Sequence, residues 1–298
     1  MEGLFIYYLL LLIPIFMWSI VAVLVKVASA DFSNSAISLC RFLFGIVFLL
    51  LYIYLSGGKP KLYFKNKWIW IGAVAKSANY ICENLAITLG YAYGFVISAP
   101  LQAIYLFIIS CVFLREKINL PKLIAAILCV SGVVLISWNG LPVFDILNTS
   151  GIITLLFALS AIGTGTHMLS QRILINKMSS ENMNLSMLFL CTFLTATPVP
   201  FSFHIAKSVN PLSVVALVAL GFITGISFLI FSNIIHKVNF FAAAIIINLQ
   251  SLFSLIWPWL FLHEPITPYV ITGACIILAG LTVLSLSGGS IKPKIQAE

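Results

Sequence analysis

Along this chain the apolar residues gather into long runs, and the few charged residues sit mainly in the short gaps between them. The runs are too long for ordinary core helices. Lipid cannot satisfy exposed backbone groups, so a spanning segment must be a helix of about 20 apolar residues. Read by that rule, the chain holds ten spans, near 4–28, 35–56, 68–89, 94–114, 120–138, 151–175, 183–204, 211–235, 240–262 and 268–287. The expected fold is all-α and integral to the membrane, with no room for a soluble domain.

Composition agrees: 61% of the 298 residues are hydrophobic, 8% are charged and the mean hydropathy is +1.13. A soluble chain would need more polar surface to face water. The net charge of +8 raises the question of nucleic acid, and its placement answers it. Alternate connections carry Lys59, Lys61, Lys65 and Lys67; Arg115, Lys117 and Lys122; Arg172 and Lys177; Lys237; and the tail's Lys292 and Lys294. The opposite connections carry only Lys207. Basic residues accumulate in cytoplasmic loops, so both termini are expected in the cytoplasm of a cell (inner or plasma) membrane. The charge reports topology and implies no nucleic-acid partner.

Ala28-Ser29-Ala30 follows an apolar run as a signal-peptidase site would, but that run is too long and starts after Glu2 with no basic region. The first segment is therefore expected to remain as a span. Six cysteines fall singly within spans, without CxxC spacing, and read as small packing residues. No metal and no cofactor is expected.

The chain repeats itself. A shift of 148 residues, without gaps, sets Leu101-Gln102 on Leu249-Gln250, Glu116 on Glu264 and Gly132 on Gly280. The run FLREKI (113–118) thus recurs as FLHEPI (261–266). The shift is close to half the chain and divides it into five-helix repeats, 1–140 and 141–298. Five is odd, so the second repeat enters the membrane from the opposite side. Two inverted halves are the architecture of secondary transporters, which place the site between the halves near the midplane.

Polar groups inside lipid are costly and face a cavity or a partner helix. In span three, Lys76, Asn79, Tyr80 and Glu83 are spaced 0, +3, +4 and +7, which puts them on one helix face. Arg41 enters span two at a depth like that of Glu83. It either lines a site with Glu83 or forms a buried ion pair that holds the helices in register. Gln102 and Gln250 occupy matched places in the two halves, and with Asn248 they supply either ligand contacts or interhelical amide bonds. Trp18 is the aromatic residue deep in span one. His167, within a stretch of small residues, is a candidate proton relay or a packing histidine. Pro14, Pro100 and Pro258 can loosen their helices. Gly221 and Gly225 form GxxxG, which allows close helix contact within the chain or in a homodimer.

The runs FMWSIVAVLVK (16–26), CRFLFG (40–45) and NLAITLGYAYGFVISAPLQAIYLFIISCVFLREKI (84–118) resemble the EamA-type permeases of the drug/metabolite transporter superfamily. The likeness extends over nearly the whole chain, and Trp18, Pro100, Glu116 and Gly132 fit the family pattern. Asn248 departs from it, standing where a proline is usual. The resemblance implies a ten-helix secondary transporter of small metabolites, often an exporter. Enzyme readings have no support: there is no GxxxxGK[ST] phosphate cradle, and Thr267 stands where His263-Glu264 would need a second histidine for zinc. The residues then suggest a small-molecule substrate such as an amino acid, with Glu83 as proton carrier or ammonium partner and Lys76 or Arg41 on the carboxylate. An organic cation held by Glu83, Trp18 and Tyr80, or a non-transporting scaffold or sensor, is the alternative.

Overall fold

The structure, a computed structural model, describes residues 2–113, 119–142, 150–197, 204–234, 238 and 240–287. Among them the chain is helical, apart from one isolated antiparallel bridge between Phe32 and Ile205. The first span comprises α1 (Glu2–Ser19) and α2 (Val21–Ala28). There follow α3 (Asn34–Leu55), α4 (Lys67–Leu89), a 3-10 turn (Ala92–Ile97) running into α5 (Ser98–Phe113), and α6 (Leu120–Trp138). The second half holds α7 (Gly151–Leu174), α8 (Ser180–Ala196), α9 (Pro211–Ile234), α10 (Phe240–Leu262) and α11 (Pro268–Ser287).

Local sequence sets these ends. Ser33, Asn66, Asn119 and Ser179 each accept a backbone N–H of the following first turn, which would otherwise lack a partner. Asn139, at φ 47°, ends α6 in the left-handed conformation that asparagine tolerates. In the seventh span, α8 runs over Ser180–Ala196, and the expected continuation over 198–203 lies outside the described residues. Residues 204–206 lie in the strand-like pairing with the 31–33 connection. Pro100 falls in the first turn of α5, where the 3-10 turn gives way to α-helix, while Pro14 and Pro258 lie inside α1 and α10.

Among the described residues, seven helical spans are long and apolar enough to cross a bilayer: α1 with α2, α3, the turn with α5, α6, α7, α9 and α11. Of the rest, α10 holds a shorter apolar stretch, Ile246–Leu262, and α8 has 17 residues. The 23-residue α4 is long enough, but Lys67, Lys76, Glu83 and three asparagine and serine positions make it polar.

The connections after spans one, three, five, seven and nine meet at one end of the bundle. Ser33 N–H donates to His204 O (2.9 Å), and Ala206 N–H to Asp31 O (2.8 Å). Asn139 bonds both Tyr93 and Thr267, and Glu264 accepts from Ala92 N–H. The connection after span two is tied elsewhere, by Lys61 N–H donating to Asn182 at the start of α8 (2.8 Å). The packing partners also exchange between halves. Helix α4 packs on α7 as α9 packs on the first span; α3 packs on α9 as α8 packs on α4; α6 pairs with α11, and α3 with α8. Small residues allow the close approaches. A methyl group at Gly163 would lie 2.5 Å from Ala75 O in α4, and one at Gly132 would lie 2.7 Å from Gly273 O in α11. The GxxxG face of α9 is used within the chain: Gly221 and Gly225 sit on Phe44 and Gly45 of α3. Of the two uses the motif allows, this is the contact within the chain.

Candidate functional site

The 0, +3, +4, +7 spacing places Lys76, Asn79, Tyr80 and Glu83 side by side along α4, and all four are buried. They form one wall of a cavity of about 310 Å³ at the centre of the bundle. Arg41 from α3, Trp18 from α1, Gln102 from α5, and Asn248 and Gln250 from α10 complete the set read from the sequence, and every one of the nine lines this same cavity. The size is at the lower end of small-molecule pockets. Residues of both halves contribute.

Arg41 and Glu83 form an ion pair, Nη1 to Oε1 at 3.4 Å, with side chains 2% and 10% exposed. The pair is embedded in hydrogen bonds. Arg41 Nη1 donates to Asn84 Oδ1 (2.6 Å), and Asn84 Nδ2 to Ser38 Oγ (2.9 Å). Asn79 Nδ2 donates to Glu83 Oε2 (3.3 Å) and to Ser160 of α7. The sequence left Arg41 between lining a site and pairing with Glu83; the structure does both. Its guanidinium carbon also lies 3.9 Å from the centre of the Tyr80 ring.

Lys76 is arranged differently. Its Nζ lies 3.9 Å from the Phe228 ring centre and 5.0 Å from that of Tyr80, and among the described residues it has no ion pair. Aromatic faces attract a cation, but less than a carboxylate does at a buried site. Three further polar atoms on the cavity wall, Arg41 Nε and the Ser98 and Ser251 hydroxyls, are buried without a hydrogen-bond partner among the described residues. Trp18 donates to Ser227 Oγ (2.7 Å) and packs on Phe228 and Phe231. Gln102 Nε2 reaches Met168 Sδ (2.8 Å), and Asn248 Nδ2 reaches Thr282 Oγ1 (3.4 Å).

His167 is placed apart from this group. Its buried ring sits outside the cavity lining, with Nδ1 3.1 Å from Gly72 O, and meets Phe228 edge-on at 5.8 Å. Sequence reasoning missed Phe95, Phe228, Phe231, Ser98 and Ser251. The three phenylalanines carry no signal in a chain with 23 of them, and the serines lie in apolar runs with no distinguishing pattern.

The end of the bundle gathering the odd-numbered connections holds another group of charges. Lys26 Nζ donates to the carbonyls of Ile87, Thr88 and Gly90 (3.1, 3.2 and 2.6 Å), closing the C-terminus of α4. Glu264 accepts from the Ala92 and Tyr93 N–H groups (2.8 and 3.0 Å), capping the 3-10 turn. Both border a second cavity of about 770 Å³. Glu264 thus caps a helix end; its repeat mate Glu116 lies outside the described residues. On the same end, Asp31 accepts from Asn210 N–H (3.0 Å), and hydrogen bonds from Ser213 and Asn210 hold its carboxyl below the usual range.

No curated protein is matched by the sequence. Among 17 matching chains of solved structures is one titled only "Crystal structure of protein". It shares 15% identity at a TM-score of 0.68, over 94% of this chain and 98% of that one, a likeness of fold. The family model for the EamA-like transporter family matches twice, over residues 5–138 and 151–286. A multi-pass helical bundle enclosing a polar-walled cavity, matched by that model over most of its length, belongs to the EamA-like transporter family, whose members are membrane transporters and not enzymes.

Proposed function

We propose that this chain is an alternating-access secondary transporter of small metabolites that carry a carboxylate, amino acids and related zwitterions among them. The observation that carries the reading is the central cavity, built from both matched stretches and lined by a lysine, an arginine, a glutamate and four neutral amides. Ten spans in two inverted repeats, 1–140 and 141–298, fit the exchange of packing partners between halves and the gathering of odd-numbered connections at one end. A pseudo-symmetric pair of halves gives two near-equivalent states, one open to each side. The basic connections put both termini in the cytoplasm. Leu284, Ser285 and Phe231, near the C-terminal ends of α11 and α9, line the cavity, while the connections at the opposite end are hydrogen-bonded to one another beside a separate pocket. In this reading the cavity faces the cytoplasm, and export is proposed as the direction on the family resemblance.

In this reading Lys76 takes the carboxylate, Gln102, Asn248 and Gln250 take its polar substituents, and the aromatic residues take its body. Glu83 is the proton-coupling group, because protonating it releases Arg41. The organic-cation alternative loses its main support, since the Glu83 carboxylate is already engaged by Arg41 and Asn79. The scaffold alternative loses its dimer face to α3. Counterflow of a radiolabelled metabolite panel in proteoliposomes tests the proposal. Saturable uptake by the native chain, abolished in Glu83→Gln for uphill but not exchange modes, is expected. Absence of flux for every metabolite would refute it.

A further inference from the structure

The cavity wall holds two cations and one acid. Arg41 and Glu83 neutralise each other at 3.4 Å, and Asn79 and Asn84 complete their hydrogen bonds. Lys76 is left over, 4% exposed, held between the rings of Tyr80 and Phe228, with no carboxylate of its own among the described residues. Arg41 leans on the same Tyr80 ring and keeps a buried Nε without a partner. The polar pole of the cavity therefore holds one more cationic side chain than acidic ones among buried groups, where an unpaired charge is costly and a bound counter-ion correspondingly favoured. Among the described residues the rest of the lining is neutral amides, hydroxyls and hydrophobic side chains, with no second acid.

Resting on the permease reading, we infer that Lys76 makes this cavity selective for organic monoanions: a carboxylate on an aliphatic or aromatic body with no compensating ammonium. Such a ligand neutralises the site without disturbing the Arg41–Glu83 pair. A zwitterion brings an ammonium that has only Glu83 to go to, and it must compete with Arg41 for it. An amine adds a second unpaired cation to the pole. The body faces Trp18, Phe95 and Phe231.

The test holds the body fixed and changes the head group. The probes are 3-phenylpropionate, phenylalanine, phenethylamine and 3-phenylpropionamide, with the matching series on isobutyl and indole bodies. They are scored by thermal shift of the detergent-solubilised full chain and by counterflow in proteoliposomes. Binding only the folded state raises apparent stability, so the shift reports affinity. On at least one body the carboxylate is expected to give the largest shift and the fastest counterflow. Lys76→Gln should weaken it by at least about tenfold, leave the neutral amide unchanged and melt no lower than the native chain, while Lys76→Arg keeps the preference. Stronger binding of the zwitterion or amine, undiminished carboxylate binding by Lys76→Gln, or binding of no probe alongside active metabolite flux would overturn the inference and leave the permease reading standing. Loss of all flux would instead strike that reading.

Discussion

Two lysine–glutamate groups in this chain use the same residue types to opposite effect. At the closed end, Lys26 and Glu264 spend their charge on backbone: three carbonyls at the C-terminus of α4, two N–H groups at the start of the 3-10 turn. These are the groups a helix end leaves without partners, so the side chains complete the fold there. In the central cavity the charges face one another and an open volume, and Lys76 meets only rings. Satisfaction by backbone marks Lys26 and Glu264 as structural charges; Lys76, without a backbone or carboxylate partner among the described residues, is the charge proposed to meet a ligand.

Breaking the Arg41–Glu83 pair has the largest expected effect. Arg41→Gln strands a buried carboxylate and should destabilise by about 3–5 kcal/mol, and the Arg41→Gln/Glu83→Gln double variant should recover most of it. A double-mutant cycle in melting temperature reads this directly. Additive losses would show that the two groups do not depend on each other. Glu264→Ala comes next. It leaves two buried N–H groups unpaired, each worth about 1–3 kcal/mol, and should lower the melting temperature while flux per folded molecule survives. Retained stability would mean that the cap is dispensable. For Lys26→Met the expected loss is smaller, about 1–2 kcal/mol for charged hydrogen bonds at a helix C-terminus; protection of the α4 end in hydrogen exchange should fall with it.

Asp31 should matter least. Its carboxyl is held below the ordinary value by Ser213 and Asn210, so its contribution is present above the unfolded value, about 3.9, and is lost as pH falls through the lower folded value. Asp31→Asn should therefore match the native melting temperature under strongly acidic conditions, and lie slightly below it at neutral pH. A difference confined to acid pH would contradict this assignment.

The sequence makes the two regions unequally legible. The α4 face stands out because four polar side chains at helical spacing are conspicuous in an apolar span, and Gln102 and Gln250 because the repeat aligns them. The closed end has no such pattern. Lys26 finds its carbonyls more than sixty residues away, and Glu264 reaches N–H groups about 170 residues back. Nothing periodic announces a contact between connections. The phenylalanines of the cavity are hidden by their abundance, and the GxxxG motif gives the closeness of a contact but not its partner, which proves to be α3.

The contrast between the regions is tested most directly by comparing Lys76→Gln with Lys26→Gln in one proteoliposome assay, with flux normalised to folded protein and melting temperature taken on the same samples. The account predicts that Lys76→Gln loses at least about tenfold in carboxylate flux, roughly 1.4 kcal/mol, at an unchanged or raised melting temperature, and that Lys26→Gln melts lower but transports normally per folded molecule. Full flux in Lys76→Gln, with transport lost in a Lys26→Gln protein of native stability, would contradict it.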